Sequence, residues 1–217
     1  PKLIEVQGFP SLFNYQPALF EKFKNHYPFL NELTPFFNGI DQEEYLSILE
    51  EVICNGYPKE NVVLLEIEPE KQNTLIDFYY CKRDLGIPVI CVTDVIKKGK
   101  QLFYKNEQGK EIQIKRIYNR VIFDELELRK DLDLQFSFSD DLDIEWAGHP
   151  NWFFRISKFI LPFLKGKYFI ETTLLSELKE IPTDLENYVL KPLFSFSGTG
   201  VIFHVKKEDI EAVIEKD

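Results

Sequence analysis

The 217-residue sequence has no methionine, three cysteines, three histidines and 26 basic against 36 acidic residues, a formal net charge of −10. Each shortage excludes something. Cys54, Cys81 and Cys91 are odd in number and form no C-x-x-C pair, so neither a disulfide framework nor a zinc site is indicated. The expectation is three reduced thiols in a cytoplasmic protein. His26, His149 and His204 are scattered without metal-ligand spacing, and no Ser-His-Asp or Cys-His arrangement emerges. Duplex nucleic acid is bound largely by neutralising phosphates with Lys and Arg, so the acidic balance argues against it as the main partner while leaving local basic spots for a small anion. No apolar run is long enough to span a bilayer and no signal peptide is evident, so no membrane partner is expected. Internal repeats and low-complexity tracts are missing too. The lack of even an initiator methionine suggests either a trimmed piece of a longer chain or an altered sequence.

What is present is an ordinary globular balance, 44% hydrophobic and 29% charged, with 20 Phe and 10 Tyr. The length suits one large domain or two small ones. Residues 41–55, DQEEYLSILEEVICN, read as a helix capped by Asp41 with Glu44 three residues on. Tyr45, Ile48, Leu49 and Val52 form its apolar face, and Gly56 and Pro58 end it. Residues 61–67, NVVLLEI, are a continuous apolar run typical of a buried parallel strand. A helix opened near Pro69 and stopped at Gly86 follows, then a second buried strand over 87–96. This strand–helix–strand unit specifies a parallel sheet, but its first turn lacks G-x-G-x-x-G, so a dinucleotide fingerprint is missing. Leu102 and Tyr104 alternate against Ile112 and Ile114 around NEQG, a β-hairpin that RIYNRVI is expected to continue. Residues 123–135 read as helical, and the acidic 139–146 as a linker or helix start. Residues 149–166 read as a helix entered through Pro150 and interrupted near Pro162, with a short extended piece and a short helix after it.

Residues 187–205, NYVLKPLFSFSGTGVIFHV, carry the strongest chemical signal. Gly200 is followed by Val201 and Ile202 rather than Lys and Ser or Thr, which excludes a Walker A loop. Phe203 stands where a Rossmann fingerprint needs its third glycine. What remains is strand, Gly-rich loop, strand, then the helix of the last dozen residues. Small residues let backbone N–H groups approach an anion, and Ser195, Ser197 and Thr199 add hydroxyls. Lys191 on the feeding strand would then face a phosphate or carboxylate. The competing reading is an edge-strand lysine reaching water by its long stem, with the glycines serving only the turn.

YVLKPLFSFSGTGVIF resembles the small-lobe hairpin of ATP-grasp enzymes, in which a strand lysine contacts ATP and the following glycine-rich loop closes over the phosphates. The resemblance assigns Lys191 and the loop Ser195, Ser197, Gly198, Thr199 and Gly200 to ATP. Upstream, RISKFILPFLKGKYFIETTLL is similar to the segment carrying the family's first ATP-contacting lysine, which matches Lys158, with Lys165 or Lys167 as alternative registers. The resemblance is strongest over 149–205 and only topological before residue 100. It implies an α/β protein with a Rossmann-like, substrate-side domain over 1–135 and a partial ATP-grasp small lobe over 136–217. The implied activity is that of the front part of an ATP-dependent carboxylate ligase working through an acyl phosphate, with ATP and magnesium as cofactors. The family's larger lobe, which supplies the magnesium ligands, is not matched, so no metal ligand is carried over and the 217 residues alone are expected not to turn over ATP. The alternative is a non-catalytic nucleotide- or protein-binding module of the same shape.

RIYNRV adds a possible substrate group. Arg116, Asn119 and Arg120 stand near the end of the expected hairpin, and Arg forks bind carboxylates bidentately. The alternative for the arginines is surface pairing with the many Asp and Glu residues. HPNW, from His149 to Trp152, reads as a helix entry with aromatic packing.

Overall fold

The structure is a computed structural model and describes residues 1–6, 8, 11–195 and 198–214. The chain divides into two compact units, residues 10–150 and residues 1–9 with 151–217. The acidic stretch 139–146, expected to open a linker or a helix, instead runs into a strand of the parallel sheet at Glu145–Ala147.

In the 10–150 unit, helices α1 (Tyr15–His26) and α2 (Gln42–Cys54) lead into β1 (Val62–Glu66), α3 (Leu75–Leu85) and β2 (Val89–Cys91). Strands β3 (Ile96–Lys98), β4 (Gln101–Lys105), β5 (Glu111–Ile114) and β6 (Arg116–Asn119) follow, then α4 (Phe123–Leu128) and β7 (Glu145–Ala147). The Asp41 carboxylate caps α2 by accepting the Glu44 N–H at 2.9 Å, and Asn55, in the left-handed region, closes it. The buried face of α2 is Leu49, Ile53 and Cys54 rather than Ile48 and Val52, which are exposed.

The main sheet is parallel in the order β2–β1–β6–β7. All five residues of β1 are buried, as befits a central strand covered on both faces. On one face, α2 and α3 pack Leu49, Ile53, Phe78, Cys81 and Leu85 against Val62, Leu64 and Tyr118. On the other, Val63, Leu65, Ile67 and Ile117 meet side chains of the small antiparallel sheet β3–β4–β5 and Phe136.

The hairpin around NEQG pairs Leu102 with Ile114 and Tyr104 with Ile112. RIYNRVI does not continue it. After Ile114 the chain changes partner: Lys115 N–H bonds to Asn61 O at 2.8 Å, and β6 runs parallel to β1. The strand expected over 87–96 breaks after Cys91 into a 3-10 turn (Val92–Asp94), and the helix expected over 123–135 stops at Leu128.

The other unit is sparse in regular structure. The helix expected over 149–166 reduces to α5 (Trp152–Arg155) and a 3-10 turn (Lys158–Phe163) that contains Pro162. Short 3-10 turns follow at Leu175–Glu177 and Leu185–Asn187, and α6 (Lys207–Ile214) comes last. The expected hairpin contracts to one antiparallel bridge, Leu190 with Ile202, whose N–H···O bonds measure 3.1 and 2.9 Å. Pro192 has no N–H to extend the ladder beyond it. Near the start of the chain, Leu3 bridges in parallel to Phe169. Among the described residues no helix is long and apolar enough to cross a membrane.

Candidate functional site

In the unit of residues 1–9 and 151–217, Ser157 caps the turn that carries Lys158 by accepting the Phe159 N–H at 3.3 Å. Lys158 is 7% exposed. Its ammonium donates to Ser195 O at 2.7 Å and Ser195 Oγ at 3.2 Å, and lies 3.5 Å from Glu5 Oε1. These bonds compensate a burial that would otherwise cost several kcal/mol. Phe194, next to Ser195, packs against Phe153, Phe154 and Phe159 at ring-centroid distances of 5.8, 5.4 and 6.3 Å, which holds the loop's entry beside the lysine. Lys165 and Lys167, the alternative registers, are exposed.

Gly198 and Gly200 take positive φ of 75° and 71°, and Val201 N–H closes a turn on Gly198 O at 3.1 Å. A Cβ at Gly200 would come within 2.7 Å of Pro192 Cγ, so this glycine is required by both conformation and space. Thr199 is exposed at the tip, and Ser197 lies outside the described residues. Lys191 is half-buried rather than fully enclosed by its apolar neighbours, and its ammonium bonds to Ile4 O at 3.1 Å. Both lysines nominated from the sequence are therefore held by Ile4–Glu5, a stretch the sequence reading did not implicate.

In the 10–150 unit, the nominated substrate group separates. Arg116 opens β6 and Arg120 follows its end, roughly 13 Å of strand away. Arg116 donates Nε to Ile53 O at 2.8 Å, Nη2 to Val52 O at 3.0 Å and Nη1 to Glu145 at 2.8 Å. It caps the C-terminus of α2 and does not join Asn119 and Arg120. Those two are buried at the carboxyl edge of the sheet. Asn119 Oδ1 accepts the Val121 N–H at 3.3 Å. The Arg120 guanidinium lies 5.9 Å from the Phe78 ring centroid.

Beside them stands a residue hidden from the sequence reading inside NVVLLEI. Glu66 ends β1, is 3% exposed and accepts the Ile67 N–H at 2.8 Å. Burial pushes its carboxyl up to about 8, against the lowering pull of the Ile67 N–H and Arg120. Burial likewise pushes the Tyr118 hydroxyl up to about 12 and the Cys81 thiol to about 12. Among the described residues no group of three or more His, Cys, Asp or Glu side chains is placed to hold a metal ion. No protein-family model matches the chain, and no curated protein matches its sequence.

Proposed function

We propose that the chain is the front part of an ATP-dependent carboxylate ligase, with a Rossmann-like domain for the acid and an ATP-grasp small lobe for the nucleotide. The observation that carries the reading is the convergence of Lys158 on Ser195, at 2.7 Å from its carbonyl and 3.2 Å from its hydroxyl. Two segments 37 residues apart, each resembling an ATP-contacting element, meet through a buried cation. A phosphate oxygen replacing the Ser195 carbonyl would gain roughly 4 kcal/mol of Coulomb attraction at 4 Å and an effective dielectric near 20. Lys191, half-buried beside the Leu190–Ile202 bridge, and the N–H groups of the Gly198–Gly200 turn supply further donors. Ser195, Thr199 and Ser197 complete the proposed phosphate contacts. ATP would activate the acid by transferring its γ-phosphoryl group, making an acyl phosphate for an amine to attack. This chain's part is to hold charge and exclude water. Its described residues offer no carboxylate cluster for magnesium, so the ion would be held through the phosphates and by ligands beyond these residues.

ATP with magnesium should raise the melting temperature of the 217-residue chain. Saturation at about a hundred times Kd corresponds to roughly 2.7 kcal/mol. Lys158→Ala should abolish the rise. A wild-type chain that ignores ATP at millimolar concentration refutes the reading.

A further inference from the structure

One short segment near the start of the chain supplies an oxygen to each lysine of the proposed phosphate site. Leu3 N–H donates to Tyr168 O at 2.6 Å, and Leu3 bridges in parallel to Phe169. The Lys2 ammonium adds a bond to Lys167 O at 2.6 Å. These contacts lay residues 2 and 3 along 167–169. From there Ile4 O accepts the Lys191 ammonium at 3.1 Å, and Glu5 Oε1 stands 3.5 Å from the Lys158 ammonium.

The segment is held lightly. Leu3 and Ile4 are 37% and 62% exposed, so neither apolar side chain anchors it in a core. The Glu5 side chain is 36% exposed, against 6% for Lys158. An ion pair with one partner open to water contributes little, and a hydrogen bond contributes modestly. Elements with few buried apolar contacts are the first to open.

Charge gives the contact its meaning. Ser195 offers Lys158 only neutral oxygens, a carbonyl and a hydroxyl. Glu5 offers it an anion, the same kind of partner as a phosphate. A phosphate oxygen drawn to Lys158 meets the Glu5 carboxylate at close range, where like charges repel. The Ile4 carbonyl holds the Lys191 ammonium against the same segment, so both cations are engaged at once.

We propose that residues 2–5 form a built-in strap over the lysine pair, a tethered competitor that presents the Glu5 carboxylate and the Ile4 carbonyl to the two ammonium groups and lifts off when a polyphosphate takes them. The strap rests on the reading of Lys158 and Lys191 as phosphate contacts and adds regulation to it. A ligand that needs the open form binds more weakly in proportion to how seldom that form is populated. Freeing residues 2–5 therefore raises affinity without touching either lysine. A scaffolding role has the opposite sign: if Glu5 served to hold Lys158 in position, its loss would weaken binding.

The test measures binding of inorganic triphosphate, without metal, to the 217-residue chain by isothermal calorimetry at fixed ionic strength, with amide NMR of residues 2–5 alongside. Glu5→Gln removes the charge and keeps the size of the side chain. Leu3→Pro removes the N–H that donates to Tyr168 O. Each variant should bind triphosphate about tenfold more tightly than the wild type. In the wild type, saturating triphosphate should carry the Leu3 and Ile4 amide resonances to random-coil positions. Equal or weaker binding by either folded variant overturns the strap, and so does a Leu3 amide that stays in place at saturation. Should Leu3→Pro fail to fold, Glu5→Gln and the amide shifts still decide. If ATP stabilises the chain but the variants bind triphosphate as the wild type does, the strap alone falls. If neither ATP nor triphosphate binds the wild type or the variants, the strap and the nucleotide reading fall together.

Discussion

Asp77 is 1% exposed, and its two oxygens accept three backbone N–H groups: Leu12 at 3.1 Å, Asn14 at 3.0 Å and Tyr15 at 2.8 Å. It thereby satisfies donors at the start of α1 and holds Leu12 at φ 67°, a conformation that a branched side chain rarely adopts. Asp77→Ala leaves one buried and two part-buried donors unmet and should cost about 3 kcal/mol in urea denaturation. Asp77→Asn keeps one acceptor oxygen and should cost less. The two caps also show what the sequence revealed at this scale. Asp41 was legible because its partner lies three residues on. Asp77 was not, because its partners lie 62 to 65 residues away. Lys158 was found through resemblance, yet its counter-ion Glu5 stands in a segment with no motif at all. Glu66 sat unremarked in a strand whose apolar neighbours masked it.

At the scale of elements, local periodicity served well where neighbours in sequence are neighbours in space. The α2 helix, the buried β1 strand and the hairpin of Leu102, Tyr104, Ile112 and Ile114 all follow their patterns. The reading failed at β6 because no Gly or Pro marks the change of partner after Ile114; β1, far back in sequence, recruits the strand. It failed over 149–166 because Pro162 and crowded aromatic residues favour 3-10 turns stapled by tertiary contacts, which leave no 3.6-residue signature. Arg116 belongs to this scale. Two of its three bonds satisfy carbonyls at the end of α2. Arg116→Ala should lower the stability of the fold by about 1–3 kcal/mol in chemical denaturation.

Over the whole molecule, the parallel sheet and both large apolar clusters lie within residues 10–150. A polypeptide of residues 10–150 should therefore melt cooperatively by circular dichroism, whereas residues 151–217 alone should show no cooperative transition. That second piece lacks residues 1–9, and with them the Leu3–Phe169 bridge and the Lys158–Glu5 pair. The mixed α/β character was legible from alternating strand and helix patterns. The return of the first residues to the last part was not, since a two-residue bridge carries no periodicity.

That return has a consequence for biosynthesis. Ile4 and Glu5 leave the ribosome before the 10–150 unit, whereas Lys158 and Lys191 emerge only after it has been made. Through that interval Leu3, Ile4 and Glu5 wait for Phe169, Lys191 and Lys158. The order of translation thus places the closing of the lysine-bearing unit after the synthesis of residues 10–150, which separate its two parts in sequence.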